Sequence, residues 1–171
     1  MARLFGWWSR RDDVPGSFEA LQNLLAAYDR ANRLEIDAVY AQFSPTLDDY
    51  YAEDLRIVFP ERPDTDLPEV RPEIVLTRTV PGHQPRTVRA PGAPFPLFQA
   101  WEYVCGAALE APRGRGEALW RRIDGGQVWP QPRQVGRTQQ VQLALMPDDR
   151  DVLAVLAEIA ALPSRPALEQ K

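Results

Sequence analysis

Lysine is nearly missing from this chain: it has 20 basic residues, and the only lysine is Lys171. Arginine in place of lysine reflects composition and points to no function. Histidine and cysteine occur once each, as His83 and Cys105. A single cysteine excludes an internal disulfide and any CxxC motif, and fits a reducing compartment. Structural zinc wants several Cys or His ligands, so one of each leaves no zinc cage. No apolar run approaches the roughly 18 residues that a membrane span needs. The opening LFGWW is too short for a signal-peptide core, and no small-residue cleavage site follows it. The expected location is cytoplasmic. Glycine is scarce beside proline, 10 against 17. The GRG and DGGQ stretches lack the strand–glycine–helix order of a phosphate cradle. HExxH, GxSxG, GxxxxGK[ST] and EF-hand spacings are absent. No metal, cofactor or catalytic residue is therefore assigned, although an active site need not be contiguous in sequence. The net charge of −4 gives no global pull toward nucleic acid.

What is present reads as one domain. A chain of 171 residues with 44% hydrophobic content builds a core without disulfide or metal. Ser17 can cap a helix over FEALQNLLAAYDRA, with Phe18, Leu21, Leu25 and Tyr28 on one stripe. Asn32 marks a potential interruption before Ile36, Val39, Tyr40 and Phe43 repeat the pattern, and Pro45 ends it. DLRIVFPE, EIVLTRTV at 73–80 and RTVRA at 86–90 read as three strands, with PGHQP turning between the last two. LFQAWEYVCGAALEA at 97–111 is the central helix, with Trp101 on its apolar side and Gly106 available for close backbone approach. EALWRRI is a brief helical turn. IDGGQVWP holds a short strand, and RTQQVQLALM at 137–146 holds another whose Val141, Leu143 and Leu145 share a face. DDRDVLAVLAEIAAL closes the domain as a helix capped by Asp148 or Asp149. The fold class is α+β: a mostly antiparallel sheet of about five strands packed against helices, in the order α-β-β-β-α-β-β-α. Residues 1–16 form an N-terminal aromatic and basic arm, 17–163 the domain and 164–171 a tail. The element order resembles that of small adaptor folds such as the bacterial secretion chaperones and the YbjN-type proteins. No motif carries individual residues across.

Two regions are candidate contact surfaces. MARLFGWWSRR places Phe5, Trp7 and Trp8 among Arg3, Arg10 and Arg11. Tryptophan anchors are efficient contact residues, whereas Asp12 and Asp13 and the shortness of the apolar stretch argue against membrane contact. The second region gathers Arg113, Arg115, Arg121, Arg122, Arg133 and Arg137 around Trp120 and Trp129, a composition able to hold phosphates and stack bases. Solvated loop arginines around core tryptophans are the plainer account. Cys105 reads as a buried core thiol. The acids Asp48, Asp49, Glu53, Asp54, Glu61, Asp64 and Asp66 read as solvated loop carboxylates, with a partner-facing patch or a divalent-metal centre as alternatives. The expected role is a noncatalytic adaptor or chaperone-like protein-binding module, with a protein partner or self-association. The alternative is a weakly nucleic-acid-associated protein using residues 113–137.

Overall fold

Helix α1, Ser17–Tyr40, is one uninterrupted element of 24 residues. Asn32 does not break it because its side chain is buried and engaged, with Oδ1 accepting the Ala93 N–H at 2.9 Å. One turn earlier the Tyr28 hydroxyl donates to the Ala93 carbonyl at 2.9 Å, so α1 pins the proline-rich segment that leads into the central helix. The computed structural model describes residues 16–43, 51–59 and 67–162. Phe5, Trp7 and Trp8 lie outside these residues, as do the 164–171 segment and Asp48, Asp49, Glu61, Asp64 and Asp66.

Ser17 is not the cap expected of it. It is the first helical residue, after Gly16, and both its backbone N–H (3.2 Å) and its hydroxyl (2.8 Å) donate to the Glu110 carboxylate. A carboxylate at a helix start also opposes the positive end of the helix dipole. Glu110 ends helix α2, Leu97–Glu110, so this one contact ties the start of α1 to the end of α2.

The strands form two sheets rather than one. Strands β1 (Ala52–Val58), β2 (Glu73–Thr79) and β3 (Arg86–Pro91) pair antiparallel in chain order. Leu55 faces Leu76, and Leu76 faces Val88, on the side turned to the second half of α1. Strands β4 (Trp129–Arg133), β5 (Gln142–Met146) and β6 (Arg150–Asp151) form the second antiparallel sheet. The two-residue β6 makes six strands among the described residues. Helix α3, Glu117–Asp124, follows a short 3-10 turn at Pro112–Gly114, and helix α4 covers Val152–Ala161. Among the described residues the molecule is an α+β fold of two small antiparallel sheets packed against four helices.

The cap of α4 is Asp151, whose carboxylate accepts from Leu153 N (2.8 Å) and Ala154 N (3.4 Å). Asp148 and Asp149, the residues expected there, face Arg122 and Arg133 instead. The main core joins the first half of α1, α2, the inner face of the second sheet and α4. Leu21, Phe95, Leu97, Trp101, Leu143 and Val152 are among its buried residues. A second cluster, with Ile36, Val39, Leu55, Ile74 and Leu76, lies between the second half of α1 and the first sheet. Helix α1 thus spans both clusters. Close backbone approach occurs at Gly116, where a Cβ would lie 1.8 Å from the Ala108 carbonyl oxygen of α2.

Candidate functional site

Strands β1 and β4 run close to one another, yet among the described residues each has a hydrogen-bonded neighbour on one side only. Two prolines account for the gap. Pro130 and Pro132 bring no N–H to the ladder, and proline is confined to sheet edges for this reason. The two sheets therefore meet without merging, and a cleft of about 590 Å³ follows the seam. Ile57 and Val58 line it from β1, Pro132 from β4, and Ala144 and Met146 from β5. Cavities of about 300–1,000 Å³ with an apolar lining and a few polar groups are the usual form of a binding site.

Charged pairs stand at the rim of the cleft. Arg56 meets Asp54 at 2.9 Å, and Arg133 is bonded to Asp149. Asp149 adopts a left-handed conformation (φ 55°) in the turn after β5, which aspartate tolerates better than most residues. Gln134, also in the lining, is buried. Its Nε2 donates to the Gly136 carbonyl at 3.3 Å, while Oε1 has no partner among the described residues. An unsatisfied buried acceptor costs about 1–3 kcal/mol, so Oε1 is a polar mismatch in an otherwise closed wall.

The arginine-rich region is not one basic surface. Arg121 pairs with Glu117 at 2.6 Å within α3, and Arg122 pairs with Asp148 at 2.6 Å. Arg133 belongs to the cleft rim, and Arg137 pairs with Asp37 of α1 at 3.0 Å. Arg113 lies in the 3-10 turn with φ 59°, and Arg115 is half-buried just after it. Trp120 and Trp129 are half-buried and packed on the main core. The structure therefore brings Arg122, Arg133 and Trp129 to the second sheet and its turn, and leaves Arg113 and Arg115 before α3 and Arg121 in its last turn.

Sequence reading missed a different cluster of arginines. The last turn of α1 contains no basic residue, and cations from distant segments surround it. The Arg78 guanidinium lies 4.7 Å from the Phe43 ring centroid and 4.4 Å from that of Tyr51. Arg86 is 5.0 Å from Phe43, and Arg137 is 4.5 Å from Tyr40. Glu53 offsets Arg78 at 3.4 Å and accepts a hydrogen bond from the Tyr40 hydroxyl. Burial, and then the Glu53 carboxylate, push the Tyr40 hydroxyl well above its ordinary pKa. Cations near a helix C-terminus are stabilised by its dipole, so this cluster has a structural role in holding the end of α1. Arg78 and Arg86 are direct cross-strand partners, which becomes visible only when the register is known.

Cys105 is buried in the main core. Burial, then the carboxylates of Asp124 and Glu102, push its thiol up to about 12. His83 is exposed on the turn between β2 and β3. Among the described residues no group of three or more His, Cys, Asp or Glu side chains is placed to hold a metal ion, and no helix is long and apolar enough to cross a membrane. Comparison with protein-family models, with curated proteins and with solved structures found no match for this chain.

Proposed function

We propose that the chain is a noncatalytic adaptor, a chaperone-like module of the cytoplasm that holds a segment of a partner protein in the cleft between its two sheets. The observation carrying this reading is the seam itself: two sheet edges side by side, unpaired among the described residues, over an apolar lining with charges at the rim. An extended peptide suits such a place, because edge strands and alternating side-chain pockets are a recurrent mode of peptide capture. The nucleic-acid alternative rests on a region in which Arg121, Arg122, Arg133 and Arg137 already face carboxylates, so little uncompensated charge supports it.

The test places a photo-reactive amino acid at Val135, which lines the cleft and is 43% exposed, and for comparison at Arg115. Irradiation in the native cell should give protein adducts at position 135 that disappear when Met146→Arg fills the cleft. Nucleic-acid adducts at position 115, lost when Arg113 and Arg121 become glutamine, would support the alternative. Protein adducts at 135 that persist in Met146→Arg would remove the cleft from the reading.

A further inference from the structure

Helix α1 carries a second apolar row beside the one it buries. Ala20, Leu24, Ala27, Ala31, Leu34 and Ala38 succeed one another at intervals of 4, 3, 4, 3 and 4 residues, the spacing of a helix–helix seam. The core takes the adjacent row, including Leu21, Leu25, Tyr28, Ile36 and Val39. In the second row Ala20 is buried and Leu24 half-buried, while Ala27, Ala31, Leu34 and Ala38 are exposed. Leu34, at 76%, is the most exposed large hydrophobic residue among those described. The first half of the row is one wall of a groove of about 510 Å³, whose other wall is Pro94, Pro96, Gln99 and Tyr103. One end of the helix therefore presents a protruding leucine, and the other end a recess around Leu24.

The row is a palindrome. Read in either direction it is Ala, Leu, Ala, Ala, Leu, Ala at the same intervals, centred on Asp29. We propose that this face pairs with a second copy of the chain, the two α1 helices antiparallel about a two-fold axis at that centre. Leu24 then meets Leu34 of the second copy, twice over, and Ala27 meets Ala31. Alanines at the crossing allow the helix axes to approach to about 8 Å, and Leu34 of each copy enters the groove of the other. A symmetric contact requires both complementary shapes on one surface, and this row with its groove supplies them. An unrelated partner would require no palindrome. The seam runs from Ala20 to Ala38, about 27 Å at 1.5 Å per residue. Arg30 flanks it close to the axis, so the two Arg30 side chains face each other. Salt screens that repulsion, and the dimer should tighten as ionic strength rises. The α1 row and its groove share no residue with the cleft between the sheets, so pairing here is independent of peptide capture there.

Sedimentation of the full chain at concentrations up to about 100 µM should show a monomer–dimer equilibrium. Leu34→Glu should weaken it at least about tenfold, and circular dichroism should show an unchanged fold, since Leu34 is exposed. Arg30→Gln should strengthen it and remove the salt dependence. The register has its own readout. A Leu24→Cys chain mixed with a Leu34→Cys chain should form a disulfide between copies. Neither variant should do so alone, because like positions lie about 15 Å apart along the seam, beyond disulfide reach. A monomer throughout, a dimer indifferent to Leu34→Glu, or self-linking of Leu34→Cys in a parallel pair would each overturn the proposal. Occupation of the groove by residues 1–15 of the same chain would appear as a monomer that dimerises only when they are removed, and would overturn it as well.

Discussion

Gly116→Ala tests the packing of α3 on α2 through a single methyl group. The added Cβ would sit 1.8 Å from the Ala108 carbonyl oxygen and 2.4 Å from its carbonyl carbon, both backbone atoms that no rotamer change can move aside. Ordinary contact begins at 3.4 Å, so the two helices must separate by about 1.6 Å. A gap of 0.5–1 Å already forfeits about a quarter to a half of a dispersion contact. Leu119 and Ile123, which α3 buries, and Trp120, which it packs on the core, all lie behind that contact. Overpacking usually costs about 1–3 kcal/mol, and a clash with rigid backbone belongs at or above the top of this range. We expect a loss of about 3 kcal/mol, a large share of the 5–15 kcal/mol that holds a domain together. Urea denaturation read by circular dichroism measures it, provided the slope with denaturant is unchanged. Gly16→Ala is the control, since its nearest neighbouring atom is 3.9 Å away; loss of a glycine at an N-cap should cost no more than about 1 kcal/mol. If Gly116→Ala costs no more than the control, the close approach of α3 to α2 is wrong.

Trp101→Ala should cost about 3–5 kcal/mol as a large buried aromatic, whereas Trp101→Phe should cost less than about 2 kcal/mol. The indole N–H is buried without a partner among the described residues, so its loss removes a mismatch along with the ring; urea melts of both variants decide. Asp151→Ala should cost about 1 kcal/mol as the cap of α4, and an equal or larger loss for Asp149→Ala in the same melts would restore the cap to the earlier turn. Cys105 should resist alkylation in the native state at pH 8 and react when unfolded. Its folded pKa is raised from 9.0 to about 12, so its contribution to stability is complete below pH 9 and is lost as pH rises toward 12. Thermal melts across that window should fall less steeply for Cys105→Ala, and the slope that remains belongs partly to Tyr28 and Tyr40, which shift in the same direction.

Local pattern carried the reading of elements well and the reading of their ends poorly, for a physical reason. Helix periodicity and strand alternation are set by neighbours in the chain, so α2, β2 and β3 were legible almost residue by residue, while α1 read as two pieces because the partner that engages Asn32, the Ala93 N–H, lies 61 residues away. Caps are decided by competition. At Ser17 a carboxylate 93 residues away outcompetes the local capping role. Near α4 the acids Asp148, Asp149 and Asp151 are each able to cap, and ion pairing with Arg122 and Arg133 engages the first two. The division into two sheets was written in Pro130 and Pro132. Proline inside a strand pattern signals an edge, but which edge it leaves open depends on β1, more than 70 residues earlier. The cleft was therefore invisible to sequence reading: its lining comes from β1, β4, β5 and two turns, and no spacing relates them.

The palindromic row on α1 is the opposite case. All six of its residues are adjacent in pattern and were in view from the start. The stronger stripe of Phe18, Leu21, Leu25 and Tyr28 drew the core assignment because larger side chains bury more apolar area. A single amphipathic helix needs only one such stripe. The second became informative once the core was seen to take Leu21, Leu25, Tyr28, Ile36 and Val39 and to leave Leu34 in solvent. Alanine is cheap on any helix surface, so four alanines alone say little. An exposed leucine has no such excuse, and two leucines placed symmetrically about the middle of the row, with a recess beside one and a protrusion at the other, are what a two-fold contact requires.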